Sequence, residues 1–105
     1  MENALLHNPH VGEILKHEFL EELEISEHSL AAAIGVPDVL IQEIINAKSP
    51  MTADIDLRLC CYFRLSEGYF LRLQNAYELL EAKRKLGETL NQIIPHATLS
   101  NMSVT

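Results

Sequence analysis

Positive charge is scarce in this chain. Eight Lys and Arg stand against fifteen Asp and Glu, giving a net charge of −7 over 105 residues. Proteins held to nucleic acid by phosphate neutralisation are usually basic, so the bulk composition argues against a general DNA coat. Cysteine is almost as rare: Cys60 and Cys61 are adjacent and would point about 100° apart on a helix. That excludes a disulfide framework, and both are expected to pack as small hydrophobes in a reducing compartment. No run approaches the roughly 18 apolar residues of a membrane span. Met1–His10 lacks the basic start and apolar stretch of a signal peptide, so a cytoplasmic location without membrane contact is expected. Alternating β-branched residues are missing, which leaves no strand signal. There is no Gly-rich phosphate loop, nucleophile elbow or metal signature. His7, His10 and His17 near Glu13 have no ligand spacing and read as polar surface histidines. No catalysis and no cofactor are expected.

What is present is helical periodicity, clearest from Ser26 to Lys48. Ser26 is an N-cap residue, and Leu30, Ala31 and Ile34 fall on one helical face. Gly35 suits a left-handed C-cap, and Pro37 suits the first turn of a following helix. Ile41, Ile44 and Ile45 form that helix's inner face, leaving Asp38, Val39, Gln42, Glu43 and Asn46 toward solvent. Small residues at a close crossing, a glycine turn and inward Val36 and Ile41 make a helix-turn-helix pattern. An ordinary αα-hairpin within a bundle has the same signature.

The rest of the chain completes an all-α domain of five helices. A first helix is expected over 11–23, with Ile14, Leu15, Phe19, Leu20 and Leu23 as its apolar stripe. Thr52 reads as the N-cap of a fourth helix over 53–63, with Asp54 and Asp56 in its first turn. This helix buries some combination of Ile55, Leu59, Tyr62 and Phe63. Ser66 reads as the cap of a long fifth helix over 67–86, closed by Gly87. Along it Tyr69, Phe70, Leu73, Ala76, Tyr77 and Leu80 form an apolar band wider than one small core needs. The domain is drawn at residues 1–87, with Leu5 and Leu6 of the lead able to dock. Residues 88–105 are a C-terminal extension of low order. Charge is segregated: residues 1–43 hold one base, Lys16, against nine acids.

Several segments resemble one family. His10-Val11-Gly12-Glu13-Ile14-Leu15 followed by Glu18-Phe19-Leu20-Glu21 is similar to the HPGEIL…EFLE opening of HigA-type (VapI-type) antitoxins, in the XRE helix-turn-helix group. Thr52-Ala53-Asp54, Leu57-Arg58-Leu59 and Tyr62-Phe63 resemble that family's TAD…LRL…YF helix. Ser66, Tyr69-Phe70-Leu71, Leu73-Gln74 and Ala76-Tyr77 resemble its SPEFWLxLQxAYDL segment, with Phe70 where Trp is usual. The resemblance covers about residues 7–80. It implies a lambda-repressor-like five-helix domain, a homodimer, a palindromic double-stranded DNA operator and neutralisation of a HigB-type, ribosome-dependent mRNA-cleaving toxin.

The departures fall where DNA would be touched. The Arg common after the recognition-helix Pro is Asp38, the usual Gly-Lys-Arg-Gly is Ala47-Lys48-Ser49-Pro50, and the Gln after the second-helix Ser is Glu27. One cation is gone, and with the glycine the left-handed cap is expected to be lost. Expected DNA contacts are Asp38, Val39, Gln42, Glu43 and Asn46 at the groove, with Lys48, Ser49 and Thr52 at phosphates. The homodimer seam is placed at Tyr69, Phe70, Leu73, Tyr77 and Leu80, and the toxin contact at Glu18, Glu21 and Glu22. The function read from this is a DNA-binding antitoxin and autorepressor. The alternatives are an interaction protein with little DNA binding on a helix-turn-helix scaffold, or a stand-alone transcriptional regulator without a toxin.

Overall fold

The computed structural model describes residues 7–97; Leu5 and Leu6, expected to dock, lie outside them. Helix α1 begins as Val11–Ile14 and continues as π-helical turns over Leu15–Glu21. Then come α2 (Glu27–Ile34), α3 (Asp38–Ile45), α4 (Ala53–Phe63) and α5 (Tyr69–Leu86), followed by a 3₁₀ stretch over Gly87–Gln92. Among the described residues there is no strand.

The start of α1 is fixed by a capping box. His10 Nδ1 accepts the Gly12 N–H at 2.9 Å, and the Glu13 carboxylate accepts the His10 N–H at 3.0 Å. Two otherwise unpaired donors are thereby satisfied reciprocally. Residues five apart share a face where bonds run from i to i+5, and the π turns accordingly bring Leu15 and Leu20 both into the core. The same phase turns Leu23 out to 55 % exposure, so it does not belong to the apolar stripe. Gly12 lies where α1 crosses the end of α3. A Cβ there would collide with the Ile44 carbonyl oxygen and lie 2.8 Å from Ile45 Cα.

Ser26 caps α2 as its sequence position suggests, with its Oγ accepting the Ser29 N–H at 3.0 Å. Gly35 closes the helix at φ +75°, a conformation that costs glycine no Cβ clash. Pro37 is the N-cap residue of α3, one position before the expected first turn. After α3, Ala47 takes φ +62°, and the Lys48 N–H returns to the Glu43 carbonyl at 2.7 Å. The left-handed cap thus persists without a glycine, against expectation, because this returning bond over-determines the turn. The next segment is clamped by Gln74 of α5, whose side-chain amide accepts the Met51 N–H at 2.6 Å and donates to the Met51 carbonyl at 3.0 Å.

The α4–α5 junction departs most from the sequence reading. Helix α5 starts at Tyr69 rather than Glu67, and Ser66 does not cap it. Its first-turn donors go to Asp56, one turn into α4, which is 1 % exposed. The Asp56 carboxylate accepts the N–H groups of Gly68 at 2.6 Å, Phe70 at 2.8 Å and Leu71 at 3.1 Å. A carboxylate is well matched to the positive end of a helix. Around it lie Ile55, Leu59, Cys60 and Phe70, all buried. Cys61 and Tyr62 are exposed, so only one of the two cysteines packs inside.

Candidate nucleic-acid interface

The core anchors α2 and α3 by Leu30, Ala31, Ile34, Ile41 and Ile44, all buried. The turn between them is locked from behind by Arg58. Its Nη1 donates to the Ile34 carbonyl at 2.8 Å and to the Gly35 carbonyl at 3.4 Å, while its Nε donates to Asp54 at 2.6 Å. Sequence reading did not single out Arg58, because nothing in its spacing tells that it reaches 24 residues back.

With the inner face fixed, the outer face of α3 is defined. Val39 is 54 % exposed, and Gln42 and Asn46 also face solvent. Asp38 accepts from His28 Nδ1 at 2.7 Å, joining the first turns of α2 and α3. That contact raises the His28 imidazolium above its ordinary value of 6.5, mainly through the hydrogen bond to Asp38 and next through its charge. Glu43 accepts the Ser49 hydroxyl at 2.8 Å, so this pair lies across the end of α3. Lys48 is exposed beside it. The Thr52 hydroxyl accepts the Ile55 N–H at 3.3 Å, so it caps α4 while remaining at the surface. The eight expected DNA-contact residues are therefore gathered on α3 and the segment that leads into α4.

Glu18, Glu21 and Glu22 are exposed along α1. Glu21 accepts from His17 at 2.9 Å, and this bond holds its carboxyl below the ordinary value of 4.5. The α5 band divides. Phe70, expected on an outer seam, is fully buried and packs its ring against Phe19 at 5.2 Å and Phe63 at 6.4 Å; it belongs to the core and presents no surface. Tyr69, Leu73, Tyr77 and Leu80 are half-buried, with Tyr77 edge-on to His10 at 4.9 Å. Ala76 is exposed. Farther along, Leu79, Leu86, Leu90, Ile93 and Ile94 are exposed apolar side chains. No described helix is long and apolar enough to cross a membrane.

Two short helices joined through a left-handed glycine, the second packed by one face only and flanked by α1, α4 and α5, make this a helix-turn-helix domain of the XRE type. No protein-family model matches the chain. It is 39 % identical to virulence-associated protein I of Dichelobacter nodosus over 89 residues, covering 85 % of this chain and 82 % of that one. It is 31 % identical to antitoxin HigA-1 of Vibrio cholerae, covering 81 % and 80 % respectively. Among solved structures, the Pseudomonas aeruginosa antitoxin HigA with the higBA promoter matches at a TM-score of 0.76 and 34 % identity, covering 85 % of this chain and 98 % of that one. Another solved structure, of a P. aeruginosa protein in complex with its 18-base-pair operator DNA, matches at 0.80 and 34 %, covering 87 % and 97 %. The chain belongs to the HigA/VapI-type antitoxin family.

Proposed function

We propose that this protein is a DNA-binding antitoxin that represses its own operon and neutralises a HigB-type mRNA-cleaving toxin. The observation that carries the reading is the outer face of α3. It is held by a buried inner face and leaves Val39, Gln42 and Asn46 exposed, in a fold whose relatives include HigA with its promoter. Helix α3 lies in a major groove, with Gln42 pairing an adenine and Val39 meeting a thymine methyl. Lys48, Ser49 and Thr52 meet phosphates and fix the register. A second copy joins through α5, where Leu73, Tyr77 and Leu80 continue into exposed Leu79 and Leu86. Such a homodimer presents two recognition helices to the two half-sites of a palindrome. The acidic outer face of α1, with Glu18, Glu21 and Glu22, receives the basic toxin.

Titration of binding to the gene's own upstream duplex against salt tests the DNA role. Specific binding weakens with salt yet stays well above that to an unrelated duplex. Equal binding to both overturns the repressor reading. It would favour the scaffold alternative, which the shortage of cations and the acidic start of α3 support. Reversing the charge of Glu18, Glu21 and Glu22 together slows toxin association most at low salt, because steering is screened over about 8–10 Å at physiological ionic strength. Unchanged association would assign that acidity to solubility.

A further inference from the structure

We propose that His28 is a positioning residue for DNA recognition, whose protonated ring neutralises Asp38 at the start of α3 so that operator binding takes up a proton. The inference rests on the DNA-binding reading above. Asp38 stands in the first turn of the recognition helix, where a bare carboxylate repels the phosphates that flank a groove. His28, in the first turn of α2, lies against it at 2.7 Å, and the imidazole is 79 % exposed. Its Nδ1 is engaged by Asp38, so Nε2 is the ring nitrogen that gains the proton. The imidazolium then bonds the carboxylate through Nδ1 and offers a charged N–H to a phosphate oxygen through Nε2.

The charges around the pair make the proton matter. Arg58, on α4 behind the turn, is committed to Asp54 and to the carbonyls of Ile34 and Gly35. Glu27, the chain neighbour of His28, turns into a groove lined also by Lys16 and Glu21 between α1 and α2. On α3 the next outward side chains, Val39 and Gln42, are neutral. The electrostatic influence on the imidazole is that of Asp38, which favours the charged ring. Beside Lys48, which follows α3, a protonated His28 adds one positive charge to this face, and that charge offsets the carboxylate of Asp38. DNA stabilises the imidazolium further, so its pKa is higher in the complex than in the free protein. Affinity is therefore level below the free-protein pKa, which lies above 6.5, and falls as pH rises from there to the pKa of the complex.

The test measures binding to the gene's upstream duplex by fluorescence anisotropy at fixed salt, from about pH 6 to about pH 9, the range that brackets histidine titration. The wild type weakens by about three- to fivefold across it, the scale of one exposed ion pair. His28→Gln, which removes an exposed side chain, binds at the wild-type high-pH level throughout. Asp38→Asn binds more tightly than the wild type at the alkaline end. An NMR titration of the His28 ring shows its pKa rising when the duplex is added. Binding that is equally tight across the range, a His28→Gln variant that keeps the wild-type fall, or a ring pKa that the duplex leaves unmoved would overturn the proposal. Absence of binding at every pH would overturn the DNA reading itself, and this inference with it.

Discussion

At the α4–α5 junction a carboxylate is sealed from water and surrounded by three backbone donors; at the α2–α3 face another stands half-exposed against a single histidine. Asp56 and Asp38 both sit in the first turn of a helix, where acids suit the dipole. Asp56 spends its charge on the N-terminus of a different helix, α5, and so joins the two elements. Asp38 spends its charge on a residue that titrates. Burial decides the difference. A buried carboxylate must have its hydrogen bonds and therefore fixes its neighbours, whereas an exposed one exchanges protein partners for water or ligand at little cost. The first region sets the fold; the second is left adjustable, as a recognition surface requires.

Removing the buried acid gives the largest effect expected here. Asp56→Ala strands the N–H groups of Gly68, Phe70 and Leu71 and opens a void beside Leu59 and Phe70. A loss of about 3–5 kcal/mol follows from breaking a buried charged contact of this sort, read as a shift in the urea midpoint. Asp56→Asn keeps the shape and part of the acceptor capacity and should fall between the two. If Asp56→Ala cost no more than Asp38→Ala, burial would not separate the two acids and the contrast would collapse.

Next comes the crossing that sets α3 in place. Gly12→Ala puts a methyl group against the backbone of Ile44 and Ile45, neither of which is a flexible side-chain end. Overpacking of this kind costs about 1–3 kcal/mol. Because the collision is with the end of α3, the variant should also lose operator affinity beyond its loss of stability. Full retention of both at 25 °C would show that α1 and α3 separate freely.

Much of this was readable from residue order. Ser26, Gly35 and the spacing of Leu30, Ala31, Ile34, Ile41 and Ile44 define the hairpin, and Thr52 marks the start of α4, because caps and periodicity are local signals. What escaped was tertiary. Asp56 reads only as a first-turn acid beside Asp54; the fold shows that it is buried and that its partners are on α5. Phe70 reads as an outer residue because a helix whose apolar residues surround it gives no phase, and the phase here is set by Phe19 and Phe63 from other helices. The π turns of α1, with Leu15 and Leu20 five residues apart, hid behind a stripe read at helical spacing. The His28–Asp38 contact spans ten residues and depends on the turn's angle, which no local pattern encodes.

A smaller effect, of the opposite sign, is expected at the turn after α3. Ala47 pays for its left-handed φ of +62°, a conformation that costs a residue with a Cβ about 1–2 kcal/mol. Ala47→Gly relieves this but makes the unfolded chain more flexible, leaving a net gain of about 0.5–1 kcal/mol in thermal or urea unfolding. The variant should leave DNA affinity unchanged, since the N–H groups of Lys48 and Ser49 each bond the Glu43 carbonyl, at 2.7 and 3.2 Å, and the Ser49 hydroxyl bonds its carboxylate. A loss of stability would show the strain at Ala47 to be absent.

The smallest effect is the contribution of the His28–Asp38 pair to folding, and its size sharpens the contrast with Asp56. The folded protein holds the His28 imidazolium above the ordinary value of 6.5 that the unfolded chain has. A group whose pKa is raised on folding adds stability that is fully present below the unfolded value and is lost as pH rises through the folded one. Unfolding measured on either side of that window should therefore show wild-type stability drifting down with rising pH, relative to His28→Gln. Glu21 works in the opposite sense: its carboxyl is lowered by His17, so its contribution holds above 4.5 and disappears as pH falls through the folded value. Both pairs are exposed to solvent and screened by salt, so neither slope should approach the Asp56 effect. A His28 contribution to stability as large as that of Asp56 would mean that the α2–α3 contact is part of the framework. The proton would then control whether the domain folds, rather than how strongly a folded domain grips DNA.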